Sequence, residues 1–120
     1  MLVIGGTGFI GYNILLAAKK KGWRLTSLSL NYPKKERYIN GVKYILADIS
    51  NLLDLKKKLK GQYHYIVNAG GYGALNTSRS ENKKIFKTHF IGVVNLVSIF
   101  EKRKILKFIQ IGTGDEYGSV

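Results

Sequence analysis

One hundred and twenty residues suffice for one domain that, once folded, withdraws roughly two thirds of its unfolded surface from water; 45% of them are hydrophobic, which excludes a disordered chain. With no cysteine there are no disulfides and no thiolate metal sites, and His64 and His89 stand apart from any carboxylate cluster, so no metal centre is expected. Twenty Lys and Arg against seven Asp and Glu give a formal charge of +13, yet no apolar run approaches the about 18 residues of a membrane span. The N-terminus also lacks the basic start of a signal peptide, so the chain is expected in the cytoplasm, away from membranes.

Strand and helix signals alternate from end to end. Residues 2–4 form an apolar strand stub that runs straight into a glycine loop. An amphipathic helix over 9–21 carries Ile10, Ile14, Leu15 and Ala18 on one face and has Gly22 as its stop. Residues 25–30 are the second strand and 43–46 the third, separated by a turn-rich stretch. A short helix follows, which Ser50 can cap and Gly61 can end. Residues 63–67 are the fourth strand, a glycine-rich loop spans 70–73, a long helix covers 80–103, and 108–111 is the fifth strand. Strands alternating with helices predict a parallel sheet covered on both faces, an α/β doubly wound domain.

In the long helix Phe86, Phe90, Val93, Val97 and Phe100 make one apolar stripe. Ile91, Val94, Leu96 and Ile99 spread apolar character further round the cylinder, which predicts a second covering helix, either from a partner subunit in a homodimer or from sequence outside these residues. The basic clusters 19–21, 34–37, 56–60 and 102–104 mostly end predicted helices, where cations suit the negative end of the dipole. Nucleic acid is therefore not the expected partner despite the charge.

The strongest local signal is "VIGGTGFIG", with Gly5, Gly8 and Gly11 at three-residue spacing between a strand and a helix. Gly5 permits a tight turn, Gly8 lets backbone amides approach a pyrophosphate, and Gly11 lets the helix pack closely on the strand. The strand-before, helix-after context makes this a dinucleotide-binding pattern, and the P-loop lysine is missing.

These residues resemble the extended short-chain dehydrogenases/reductases, the group that contains nucleotide-sugar epimerases and dehydratases. "GGTGFIG" is similar to that family's cofactor loop, which implicates Gly5, Thr7, Gly8, Phe9, Ile10 and Gly11. "LADIS" places Asp48, with the Ile49 backbone beside it, where the family binds the adenine amino group. "VNAGG" resembles the cofactor-lining segment after strand four and implicates Asn68, Ala69 and Gly70. "GVVNL" is similar to a Gly-Thr-x-Asn-Leu stretch in the following helix, and "IGTGDEYG" to a Ser-Ser-x-x-x-Tyr-Gly segment at strand five. The resemblance implies a Rossmann-like sheet, an NAD or NADP cofactor and a nucleotide-sugar substrate for the complete enzyme. It also implies that Thr113 hydrogen-bonds the substrate's reacting oxygen.

The sequence departs from that pattern in three places. At the end of the second strand, Ser29, Leu30 and Asn31 stand where the family often has an aspartate for the ribose, and Lys34, Lys35 and Arg37 follow, so NAD and NADP both stay open. His89 replaces a usual asparagine and is expected to be a plain helix-face residue. The proton-transferring Tyr-x-x-x-Lys pair is also missing: no tyrosine from Tyr12 to Tyr72 is followed by lysine four residues on. The expectation is a cofactor-binding Rossmann domain, 1–120, cut before the catalytic helix and substrate domain. The competing readings are a non-catalytic NAD(P)-binding or protein-docking module and a basic nucleic-acid-binding protein.

Overall fold

Five short strands lie parallel in a single sheet of order β3-β2-β1-β4-β5: β1 (Leu2–Ile4), β2 (Thr26–Ser29), β3 (Lys43–Leu46), β4 (Tyr65–Asn68) and β5 (Lys107–Gln110). They are seen in a computed structural model that describes residues 1–71, 78–112 and 118. The central strand, β1, pairs Leu2 with Thr26 on one side and with Ile66 on the other. All three of its residues are buried, as parallel strands covered on both faces require. The edge strands β3 and β5 are largely open.

Two cores flank the sheet. On one face α1 (Phe9–Lys20) closes Leu15 and Ala18 over Val3, Leu25, Ile39 and Val42. On the other, α2 (Leu52–Lys58) and α4 (Gly92–Phe100) bury Leu55, Leu59, Leu96, Ile99 and Phe100 against Leu2, Ile4, Leu28 and Ile66. The doubly wound architecture expected from the alternating pattern is thus present.

Helix ends follow local chemistry, with two corrections. Gly22 stops α1 as expected, in a left-handed conformation with φ of 74°. The cap of α2 is Asn51 rather than Ser50: the Asn51 side chain accepts from the Asp54 N–H at 3.1 Å, while the Ser50 N–H belongs to the preceding turn, donated to the Asp48 carboxylate at 2.8 Å. That helix ends at Lys58, with Leu59 as its C-cap, before Gly61 is reached.

The long helix is not uniform. A capping box joins Ser78 and Glu81 at the start of α3 (Arg79–Phe86). A π turn then spans Lys87–Ile91, marked by the Gly92 N–H bonded to the Lys87 carbonyl, and α4 follows. The extra residue in that turn rotates everything after it. The buried set is Gly92, Asn95, Leu96, Ile99 and Phe100, so of the stripe only Phe100 is buried: Phe86 and Phe90 are more than half exposed and stack on each other at 5.1 Å, with Val94 and Val97 continuing the exposed line.

Among the described residues, no helix is long and apolar enough to cross a membrane.

Candidate functional site

At the carboxyl ends of the strands, four successive loops enclose a cleft of about 530 Å³. Gly5, Thr7 and Gly8 come from the loop after β1, Ser29, Leu30 and Asn31 from the end of β2, Asp48, Ile49 and Ser50 from the loop after β3, and Ala69, Gly70 and Gly71 from the loop after β4. The opposite wall is Lys84, Lys87 and Thr88 of α3 and the π turn. The chain steps outward from β1 to β2 and β3, then returns to β4 on the other side of β1. The cleft therefore lies at the topological switch point, where open α/β sheets bind ligands.

Backbone contact between two loops shapes the floor. Gly5 has φ of 74°, its N–H bonds to the Leu28 carbonyl at 2.8 Å, and a Cβ on it would stand 2.7 Å from the Cα of Gly70. Only glycine fits both the conformation and the space. Gly11 is buried against this turn, where a Cβ would come within 2.7 Å of the Gly5 carbonyl carbon and of the Gly6 Cα. Gly6, not singled out from the spacing, packs as tightly: a Cβ there would lie 2.8 Å from Leu15 Cδ1. Gly8 is more open, with only the Gly5 oxygen near, at 3.3 Å. As N-cap of α1, Gly8 offers no side chain, and the first turn holds no acidic residue. The positive end of the α1 dipole thus faces the cleft without a neutralising group from that turn.

The adjoining wall is held from behind. Asp48 is exposed and lines the cleft while one of its oxygens orders the turn through the Ser50 N–H. The Ile49 side chain is buried, and its carbonyl accepts from the buried Asn95 side chain at 2.9 Å. Beside it Gly92 lets the helix approach: a Cβ there would stand 2.6 Å from Ile49 Cδ1. The "GVVNL" stretch thus supports the Asp48 loop through Gly92 and Asn95, a role that its spacing alone did not disclose.

Asn68 is fully buried and lies outside the cleft lining. Its Oδ1 accepts from the Gly70 N–H at 3.1 Å and its Nδ2 donates to Gln110 at 2.8 Å, which shapes the Ala69–Gly70 turn and ties it to β5. Phe9 and Ile10, with 72% and 48% of their surface exposed, also stand outside the lining. His89 is more than a helix-face residue: its imidazole lies over Gly71, where a Cβ would be 3.0 Å from Nε2. The π turn carries this ring toward the loop after β4 and brings Lys87 and Thr88 to the cleft. None of the three was expected from the sequence, because a regular helix was assumed. Thr113 and Tyr117 lie outside the described residues.

A parallel sheet in this order, with a glycine turn and an uncapped helix start at its switch point, defines a Rossmann-type nucleotide-binding domain. More narrowly, the chain belongs to the NAD dependent epimerase/dehydratase family, whose model matches residues 1–120. A bifunctional UDP-glucose 4-epimerase and UDP-xylose 4-epimerase of Pisum sativum is 22% identical across 98% of this chain and 37% of its own length. Short-chain dehydrogenase/reductase family 42E member 1 of Macaca fascicularis is 22% identical across 94% of the chain and 29% of its own length. A UDP-glucose 4-epimerase from Bifidobacterium longum, solved in complex with NAD+ and UDP, superposes with a TM-score of 0.83 at 17% identity, covering 98% of this chain and 38% of that one. The chain therefore spans 29% to 37% of the length of these curated relatives.

Proposed function

We propose that this chain is the cofactor-binding portion of an NAD(P)-dependent enzyme that acts on nucleotide sugars as an epimerase, dehydratase or reductase. The observation that carries the reading is the convergence on one cleft of the Gly5 turn, Asp48 and the Ala69–Gly70 turn, from three separate strands. A dinucleotide fits the residues present, since Gly8 leaves room for close approach and the first turn of α1 has neither a capping side chain nor a carboxylate to compete for its N–H groups.

In this reading Gly5, Thr7 and Gly8 hold the pyrophosphate, Asp48 and the Ile49 backbone hold the adenine, and Ala69 and Gly70 border the nicotinamide half. When bound there, the nicotinamide would supply hydride transfer with a sugar carbon. Thr113 hydrogen-bonds the reacting oxygen of the sugar, and proton transfer falls to a tyrosine and lysine outside these 120 residues. The exposed line of Phe86, Phe90, Val94 and Val97 supports a partner subunit on the long helix. Nucleic acid has no part in the reading, because the lysines close the last turns of α1, α2 and α3.

Calorimetric titration of the purified chain with NAD+ and NADP+ tests it. Saturable binding of at least one dinucleotide is expected, with no turnover of UDP-glucose or UDP-galactose. Failure to bind either dinucleotide, or sustained turnover by the chain alone, would overturn it.

A further inference from the structure

The edge of the sheet opposite the cleft gathers positive charge. Parallel strands joined by returning helices bring strand starts and helix ends together at one edge, the amino edge of β3-β2-β1-β4-β5. The basic clusters 19–21 and 102–104 lie there, with Lys60 before β4, Arg24 before β2, and Lys43 and Lys107 opening β3 and β5. We infer that this edge is a peripheral attachment surface for an anionic lipid bilayer, with Trp23 and Leu106 entering at headgroup level. The inference is independent of the dinucleotide reading, since attachment by this edge leaves the cleft facing solution.

Half of the chain's twenty Lys and Arg stand on that edge, and among the described residues the carboxylate that accompanies them is Glu101. Cations that close helices suit the dipole, which accounts for 19–21 and 102–104. Lys43 and Lys107 open strands and Lys60 stands in a loop, where no dipole favours a positive charge, and all three are exposed. Lys43 and Lys107 belong to the two outer strands, so the charge reaches across the whole sheet, about 19 Å at four strand spacings. The frame that carries it is tied together: Lys19 donates to the Asn40 carbonyl at 2.6 Å and Arg103 to the Gly61 carbonyl at 3.0 Å.

Two apolar side chains are exposed among these cations. Leu106 has 65% of its surface open and Trp23 has 38%. The Trp23 ring packs on Tyr65 with centroids 4.9 Å apart, and the Leu106 N–H donates to the His64 carbonyl at 2.7 Å, so both residues stand at the start of β4. An indole and a leucine among lysines suit the boundary between headgroups and acyl chains. A polynucleotide would meet the charge but offers nothing to the leucine, and cations spread over the whole edge match a plane of headgroups rather than a single line of phosphates. Such attachment requires no spanning segment, so the hydropathy that excludes one leaves it untouched.

Trp23 is the single tryptophan of the chain, so its emission reports on this edge directly. Phosphatidylcholine vesicles carrying about a third phosphatidylserine should shift that emission to shorter wavelength and carry the protein into the vesicle pellet, while pure phosphatidylcholine should do neither. Lys21→Gln, Arg24→Gln and Lys107→Gln together should weaken vesicle binding about a hundredfold, near fivefold for each cation. Lys35→Gln, Arg79→Gln and Lys83→Gln remove the same charge at the other end and should leave binding within about twofold. Leu106→Ser should weaken binding without altering its salt dependence. Equal binding to neutral vesicles, equal losses from the two triple variants, or binding without an emission shift would overturn the inference. An emission shift given by single-stranded RNA and not by the anionic vesicles would assign the edge to nucleic acid and overturn it as well.

Discussion

Asn95 and Ile49, forty-six residues apart, are joined by a buried hydrogen bond from the Asn95 side-chain amide to the Ile49 carbonyl at 2.9 Å. It couples the helix behind the sheet to the loop that carries Asp48 into the cleft. Asn95→Ala leaves that carbonyl buried and without this donor, at a cost of about 1–3 kcal/mol. Urea unfolding should show the free energy of unfolding falling by that amount, with an unchanged slope. Dinucleotide affinity should weaken as well, because the Asp48 loop loses its anchor.

Asp48 orders its own turn and, in the proposed reading, also binds the adenine, two tasks that substitutions can separate. Asp48→Asn keeps an oxygen able to accept from the Ser50 N–H, so stability should change by less than about 0.5 kcal/mol. The new amide is a donor where the adenine amino group needs an acceptor, so affinity for the dinucleotide should fall about tenfold. Asp48→Ala should lower both. Equal binding by wild type and Asp48→Asn would remove adenine recognition from this residue.

Gly5 and Gly22 share the same φ of 74° but differ in their surroundings. An added Cβ at Gly22 meets nothing within 4 Å, so Gly22→Ala should cost about 1 kcal/mol, the conformational penalty alone. At Gly5 the Cβ runs into the Gly70 backbone at 2.7 Å, so Gly5→Ala should cost at least about twice as much and should abolish dinucleotide binding. Thermal denaturation of the two variants side by side measures the difference.

Ser27 is fully buried beneath Gly6, and its hydroxyl has no hydrogen-bond partner among the described residues. Ser27→Ala removes a desolvated polar group without adding volume, so it should leave stability unchanged or raise it by up to about 1 kcal/mol. A loss greater than about 1 kcal/mol in chemical denaturation would show that the hydroxyl has a partner after all.

The capping box makes the start of α3 sensitive to acid. The backbone N–H and side chain of Ser78 hold the Glu81 carboxyl below its ordinary value of 4.5. A carboxylate with a depressed folded value stabilises above 4.5, and its contribution is lost as pH falls through the folded value. Ser78→Ala removes the cap, with a cost of about 1 kcal/mol near neutrality. The gap between wild type and variant should narrow as pH drops from about 5 to about 3; a gap independent of pH would detach Glu81 from the cap.

Much of the fold was legible in local sequence. The strands at 2–4 and 43–46 and the helix from Phe9 to the Gly22 stop lie where their apolar runs and glycines predict. Each of these signals acts between residues a few positions apart, so the chain carries it before anything folds. The "GGTGFIG" loop was legible for the same reason: a turn that must be left-handed at Gly5 and must admit a helix at Gly11 leaves glycine as the only choice at both.

Tertiary structure decided what depends on distant partners. A π turn at Lys87–Ile91 precedes the close packing of Gly92 on Ile49, and of the predicted stripe Phe86, Phe90 and Val97 are exposed while Phe100 is in the core. Asn68 ties the Gly70 turn to Gln110, a contact that the sequence does not disclose. Arg37 donates to the Thr7 carbonyl at 3.3 Å, joining residues thirty positions apart that no periodicity relates. Sequence by itself determined which residues build strands, helices and the glycine turn, because short-range sterics and hydrogen bonding set those. Which helix face is buried, and which side chains meet across the cleft, was decided only when the sheet brought its loops to one edge.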